Sequence, residues 1–245
     1  MIEKEKKYTP MMEQYLEIKK EYQDTILFYR VGDFYEMFFE DAHVGAKELE
    51  LALTGKDAGV EERVPMCGVP FHAYEPYAER LISKGYKVAI VEQVEDPKAA
   101  KGIVKRSVVK IITPGTIDSG LNDKENNYIA GIIRGKRNFI LCYCDLSTGE
   151  GYITSLGSFE ILSNELLSLH IKEIVVPVFF ASPELESFAV KNQIVLSKVD
   201  AYEIPEELLG LAEDIALEDR PALGVIIHYF IKTKKQLPTH LKKVQ

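Results

Sequence analysis

Two α/β domains in tandem are what this sequence predicts. The first is a mixed α/β unit over residues 1–116, the second a ribonuclease-H-like α/β unit over 128–245, with a linker at 117–127. Three observations predict this. Helical and strand-like periodicities alternate along the chain. A polar, turn-rich stretch, DSGLNDKENN at 118–127, interrupts them near the middle. Beyond that stretch the rhythm changes, from mixed elements to three successive strand-like runs and then regular helix–strand alternation. The length of 245 residues suits one large or two ordinary domains at about 100–200 residues each.

Thr9-Pro10 gives a helix start, a capping hydroxyl followed by proline at the first helical position. Met12, Tyr15, Ile18, Lys19 and Tyr22 follow at helical spacing. Residues 25–31 (TILFYRV) read as a short strand closed by Gly32-Asp33. Phe34, Met37, Phe38, Ala42, Gly45, Ala46 and Leu49 recur at i, i+3, i+4 and predict an amphipathic helix of about four turns. Residues 68–73 read as a loop, 74–84 as a helix ended by Gly85, and 86–93 as a strand. Asp96-Pro97 opens a short helix, and 107–113 is a strand ended by Pro114-Gly115. After the linker, strands are expected at 128–133, 139–145 and 151–155. A helix at 159–170, a strand at 173–178, a helix at 183–191, a strand at 194–199 and a long amphipathic helix at 221–234 follow. Three antiparallel strands and then this alternation suggest a ribonuclease-H-like sheet with helices on its faces. The last segment, 237–245, stops without a terminating feature, as if the chain were cut from something longer.

Composition removes several classes. Hydrophobic residues at 46% and charged residues at 28% exclude wholesale disorder. The longest apolar run, IVVPVFFA at 174–181, holds eight residues and a proline; a spanning helix needs about 20. MIEKEKKYTP lacks the apolar core of a signal peptide, so a cytoplasmic protein without a membrane partner is expected. Cys67, Cys142 and Cys144 support neither a disulfide framework nor a zinc site, and Cys67 reads as a small buried residue. No metal ligand set is visible.

The net charge is −8. Residues 1–116 carry 17 Lys+Arg and 20 Asp+Glu, and residues 117–245 carry 13 and 18, so neither half is basic. A generic nucleic-acid binder usually is. Contact with DNA would need a local site, and 98–110 (KAAKGIVKRSVVK) offers one, with five basic residues and no acidic one.

The sharpest motif is RVGDFYEMF at 30–38. Taken alone, Asp33-x-x-Glu36 matches a capping box, with Asp33 as N-cap and Glu36 reaching back from the third helical position. Phe34, Met37 and Phe38 would then belong to the core. A phosphate loop is absent: Gly55-Lys56 lacks both the earlier glycine and the following Ser/Thr. Asp145, at the end of a central strand of the second half, raises a metal-dependent nuclease as a rival. Such chemistry needs several convergent carboxylates, and Glu150 and Asp200 are poorly placed to join it.

Four segments in order, RVGDFYEMFFEDA, VPMCGVPFHA, VAIVEQVEDPKAAKGIVKR and IITPGT, resemble the N-terminal region of the MutS family of bacterial DNA mismatch-repair proteins. The resemblance runs from Thr9 to Thr116 and continues more weakly through the second half. It implies a mismatch-recognition domain followed by a connector domain. It also implies that the lever and clamp helices and the ATPase, with its ATP and Mg and its homodimer contacts, lie outside this chain. No cofactor is implied within it. Mismatched double-stranded DNA is the implied ligand, and MutL an implied partner through the connector. The family's Phe-x-Glu motif falls on Phe34 and Glu36. Phenylalanine offers a flat apolar face that stacks on any base. A mismatched step, already poorly stacked, is cheaper to wedge open than sound duplex. Glu36 is repelled by phosphates, so its use must be a hydrogen bond to a displaced base, as acceptor or, if protonated, as donor. The resemblance makes Arg106 the expected phosphate or sugar contact. Lys105 of the same basic strip, and Arg63 and His72 flanking VPMCGVPFH, are further DNA-binding candidates, although Lys105 can equally point away on a strand and His72 can equally serve as a structural hydrogen-bonder. Residues i and i+2 share a face only if the segment is extended, which sets the Phe34–Glu36 pair against the helix read above. A protein-interaction module that kept the fold and lost DNA is the remaining alternative. The acidity of both halves leads us to expect weak DNA binding by this segment alone.

Overall fold

Pro10 presets the first turn of α1 (Pro10–Glu21), but the Thr9 hydroxyl makes no capping bond. Thr9 is held instead through its backbone N–H, which donates to the Ala58 carbonyl. The computed structural model describes residues 8–95, 102–117 and 126–245. The helix expected at Asp96-Pro97, the first part of the basic strip and most of the linker fall outside them. The chain divides into two units, Met1–Ile112 and Thr113–Gln245.

In the first unit, α1 is followed by β1 (Ile26–Val31), β2 (Phe34–Phe38), α2 (Phe39–Leu49), β3 (Thr54–Lys56), β4 (Val64–Pro70), a 3-10 turn (Phe71–Ala73), α3 (Glu75–Ser83), β5 (Val88–Gln93) and β6 (Arg106–Ile112). They form one sheet in the order β3-β4-β2-β1-β5-β6. β1 and β5 run parallel and the other neighbours antiparallel. The pleat sends Leu27, Tyr29, Phe38, Ala89 and Val91 to the face that Met12 and Tyr15 of α1 cover. Helices α2 and α3 pack against the sheet through Ala42, Ala78 and Leu81.

Two expectations are corrected here. Residues 34–38 are a strand, and the helix begins only at Phe39. Asp33 is therefore not a helix cap: the cap position of α2 is Phe38, without a side-chain bond. The i, i+3, i+4 spacing arose because the strand's buried residues happen to continue the apolar stripe of the following helix. Strand and helix meet directly, with Phe39 at φ +54°, so no Gly, Pro or Asn marks the change. The supposed loop at 68–73 also begins as strand, since Gly68 and Pro70 pair with Glu36 and Phe34 in the ladder.

The second unit holds β7 (Tyr128–Arg134), β8 (Phe139–Asp145), β9 (Glu150–Leu156), α4 (Phe159–Ser168), β10 (Glu173–Pro177), α5 (Pro183–Lys191), β11 (Val195–Val199), a 3-10 segment (Glu206–Ala212) and α6 (Pro221–Lys234). The sheet order is β11-β10-β7-β8-β9. β7, β8 and β9 are antiparallel, and β10 runs parallel to β7 and β11. Three antiparallel strands followed by two parallel strands is the pattern the sequence implied. α6 covers one face with Leu223, Ile226, Ile227 and Phe230. α4 and α5 cover the other with Leu162, Leu166, Leu185 and Ala189. Ser158 and Ser182 are true N-caps, accepting from the N–H of Ile161 and Leu185, each worth about 1 kcal/mol. Thr113–Thr116, read from sequence as the end of the first domain, belong by contact to this unit. The reason is Glu173, whose Oε2 accepts from the Thr113 hydroxyl at 2.6 Å and the Gly115 N–H at 2.9 Å.

Among the described residues no helix is long and apolar enough to cross a membrane.

Candidate nucleic-acid interface

A two-residue loop, Gly32-Asp33, joins β1 to β2, with Val31 paired to Phe34. Gly32 sits at φ +56°, a value that glycine adopts without a Cβ penalty at the first position of a tight hairpin. In the extended β2, Phe34 and Glu36 lie on one face and Tyr35 and Met37 on the other. The face grades outward. Phe38 is fully buried, edge-on to Tyr15 at 5.0 Å. Glu36 is half-buried, and Phe34 at the tip is 49% exposed. A strand of otherwise inward aromatics thus ends in one that faces water.

The tip is held from behind. The Asp33 carbonyl accepts from the Phe71 N–H at 3.0 Å. The Arg30 guanidinium lies 3.3 Å from the Phe71 ring centroid and donates from Nε to the Gly32 carbonyl. It also reaches Glu92 at 3.4 Å, and the Tyr35 hydroxyl donates to the same carboxylate. Burial, then Glu92, pushes the Tyr35 hydroxyl up, so it stays a donor across the neutral range. At the root, Asp41 accepts from the Tyr15 hydroxyl, the Leu27 N–H and Lys19.

Glu36 pairs with a residue that the sequence gave no reason to connect to it. Lys56 of β3 reaches across β4 and places Nζ 2.5 Å from Glu36 Oε2. Opposite Glu36 in the ladder stands Gly68. A Cβ there would lie 3.1 Å from the Tyr35 carbonyl and 3.6 Å from Glu36 Cγ. The ladder position opposite Glu36 therefore carries no side chain.

The other candidates fall into different situations. Arg106 is only 9% exposed. Its Nε donates to the Arg30 carbonyl at 2.7 Å and its Nη1 to the Val104 carbonyl at 2.9 Å, and the group lies 5.1 Å from the Tyr29 ring centroid. The expected phosphate contact thus spends one of these donors on the end of β1 that leads into the hairpin and the other on the residue two before it in its own segment. Lys105 is exposed just before β6, and its carbonyl accepts from the Val94 N–H at 2.9 Å, just past the end of β5. His72 is exposed in the turn that follows Pro70, the partner of Phe34. The hairpin tip, His72 and Lys105 share one end of the sheet. Arg63 is exposed but precedes β4 at its far end, about 20 Å along the strand from Pro70.

Arg30, Phe71 and Lys56 are the residues that sequence reasoning missed. An aromatic after Pro70 was the one available signal for Phe71. Lys56 and Arg30 act across strands, which no local spacing reveals.

In the second unit, Asp145 is the candidate. Asp145 is buried, with Oδ1 accepting from the Ser147 N–H and hydroxyl and from the Thr148 N–H, and Oδ2 from the Asn127 N–H. It is the acceptor of its own turn. No group of three or more His, Cys, Asp or Glu among the described residues is placed to hold a metal. The nuclease reading is therefore not favoured. Cys67, Cys142 and Cys144 are buried free thiols.

Residues 9–120 match the family model for MutS domain I, and residues 127–245 the model for MutS domain II. The DNA mismatch repair protein MutS of Geobacillus sp. (strain WCH70) is 48% identical over 242 residues, which cover 97% of this chain and 28% of that protein. Those of Bacillus thuringiensis (strain Al Hakam) and Bacillus cereus (strain B4264) are each 46% identical over 243 residues, covering 97% of this chain and 27% of theirs. The chain therefore spans a little over a quarter of the length of these relatives. With the two domain models matched in succession and near-half identity along almost the whole chain, it belongs to the MutS family.

Proposed function

We propose that this chain recognises mismatched double-stranded DNA in mismatch repair, through Phe34 and Glu36. One observation carries this reading: Phe34 is the exposed end of a rigidly backed aromatic strand. Exposure alone does not single it out, since Phe179 is 69% exposed; its place at the tip of a hairpin held from behind leaves its ring free to meet a base. Inserted from the minor groove, its ring stacks on a mispaired or unpaired base for about 1–3 kcal/mol. Kinking the duplex costs a few kcal/mol, less where pairing is already lost. The difference is the discrimination, and no base sequence is read. Glu36, on the same face, accepts a hydrogen bond from the N–H of the displaced base. In matched DNA that donor is occupied, and the carboxylate only repels.

Arg106 in this reading orients the hairpin through the Arg30 carbonyl. Lys105 and His72, at the same end of the sheet, meet the flanking backbone, and Arg63 meets it farther along. Each phosphate contact adds to the salt dependence of binding. With a net charge of −8, the chain supplies little of the charge neutralisation that tight binding needs. The remainder, with ATP and Mg and the homodimer contacts, belongs to regions of the longer relatives beyond this span. The chain itself works by binding rather than by chemistry, in the cytoplasm, and its second unit is the connector that meets MutL.

The test uses the complete gene product. Wild type and Phe34→Ala are compared for binding to a duplex with one unpaired base, one with a G·T mispair and the matched duplex, at fixed salt. Loss of preference by about tenfold or more, with matched-duplex affinity and fold intact, is the expected result. An unchanged preference would place the reading site elsewhere.

A further inference from the structure

Glu36 is a carboxylate placed where DNA is to arrive, and the structure gives it a cation. Lys56 Nζ lies 2.5 Å from Oε2, with the two side chains only 24% and 13% exposed. Lys242 and Glu150, by contrast, form a pair 61% and 44% exposed, the ordinary solvated kind. Lys56 Nζ also lies 5.8 Å from the Phe38 ring centroid, within reach of a weak cation–π attraction. Among the described residues Lys56 is the one hydrogen-bonding partner of Glu36, and it takes one oxygen. Oε1 has no hydrogen-bonding partner among the described residues, and the residue opposite Glu36 in the ladder, Gly68, carries no side chain.

We infer that Lys56 is a specificity-determining residue: by pinning Oε2 of Glu36 it presents Oε1 as the acceptor for the N–H of a displaced base. This rests on the proposed role of Glu36 and adds to it the means by which the carboxylate is held. Two effects follow, and they separate. Neutralising Glu36 softens its repulsion of phosphates, which acts on every duplex alike because Coulomb forces are long-ranged. Pinning Glu36 removes the rotamer freedom that base contact would otherwise have to freeze, which acts only where a base is displaced. A lysine that merely held a phosphate, or merely supported the fold, would produce the first kind of effect and not the second.

A double-mutant cycle in the complete gene product distinguishes them. Dissociation constants are measured for a duplex with one unpaired thymine and for its matched counterpart, at fixed salt. The proteins are wild type, Lys56→Met, Glu36→Gln and the double variant. Methionine keeps the apolar stem over Phe38, and unchanged thermal unfolding confirms the fold; should it fall, Lys56→Gln takes its place in the cycle. Lys56→Met is expected to weaken both complexes and to cut the preference about three- to tenfold, the weight of one immobilised flexible side chain. In the Glu36→Gln background the same substitution is expected to leave the preference where it was. Equal weakening of both complexes by Lys56→Met, or the same loss of preference in both backgrounds, overturns the inference and leaves the role of Glu36 standing. Glu36→Gln without any effect on preference overturns that role, and this inference with it.

Discussion

Glu36 in the first unit and Glu173 in the second are both glutamates drawn into a sheet, and they are treated in opposite ways. Glu173 is fully buried. Its Oε1 accepts from the Ser197 hydroxyl at 2.6 Å and the Tyr229 hydroxyl at 2.5 Å, and its Oε2 from Thr113 and Gly115. Burial, then the charge of Glu173, pushes the Tyr229 hydroxyl well up, so it remains a donor. Four donors satisfy that carboxylate, and its service is to hold Thr113 and Gly115 to β10 within the second unit. Glu36 has, among the described residues, one hydrogen-bonding partner, on one oxygen, and is half-buried. A satisfied carboxylate holds a fold together, and a half-satisfied one at a surface is available to a ligand. Phe38 and Phe34 repeat the contrast among aromatics, two positions on one face of one strand, with one at 0% and the other at 49% exposure.

Substitutions break this comparison in a set order. Phe38→Ala is expected to cost about 4 kcal/mol of stability by opening the core between Tyr15 and Tyr29, seen as a drop in the denaturant midpoint. Glu173→Gln follows at about 2 kcal/mol, because an amide turned toward four donors leaves the Gly115 N–H or a hydroxyl without an acceptor. Its effect is expected in unfolding and not in mismatch preference. Gly68→Ala is smaller, about 1 kcal/mol or less in stability. Its Cβ presses on the Tyr35 carbonyl at 3.1 Å and adds a side chain in contact with Glu36 Cγ at 3.6 Å, so mismatch preference is expected to fall with the fold intact. Phe34→Ala leaves stability within about 0.5 kcal/mol while abolishing preference, the reverse of Phe38→Ala. Cys67 gives the smallest signal. Burial pushes its thiol up to about 11. The thiolate is the reactive form and Cys67 is 1% exposed, so Cys67 in the native protein at pH 7 should resist iodoacetamide, read by mass mapping of the modified peptide. Ready alkylation at pH 7 without unfolding would contradict its buried setting.

The second unit was nearly transparent in sequence. Its helices open on Ser158 and Ser182 as N-caps, or on Pro183 and Pro221, and its strands are separated by turn residues. The first unit was legible except at its working edge. Three reasons account for that edge. Strand β2 runs into α2 with no intervening turn residue, so strand and helix share one apolar stripe. Gly32-Asp33 reads equally as the close of a strand and as a hairpin loop. Lys56 and Arg30 meet their partners across strands, which is tertiary information. Phe34 and Glu36 were found only through resemblance, since their own spacing also satisfies a helix cap. The basic residues in 98–110 drew notice as a charge run, yet Arg106 is internal. Composition reports which charges are present and not which way they face.

The central claim is that the Phe34 ring enters DNA at the defect. Its most direct test replaces Phe34 in the complete gene product with a photoreactive phenylalanine analogue and maps cross-links on a duplex bearing one unpaired base. Cross-linking confined to the unpaired base and its neighbouring step, and absent on the matched duplex, is the result this account expects. Cross-links spread evenly along both duplexes, or none beside retained mismatch preference, would contradict it.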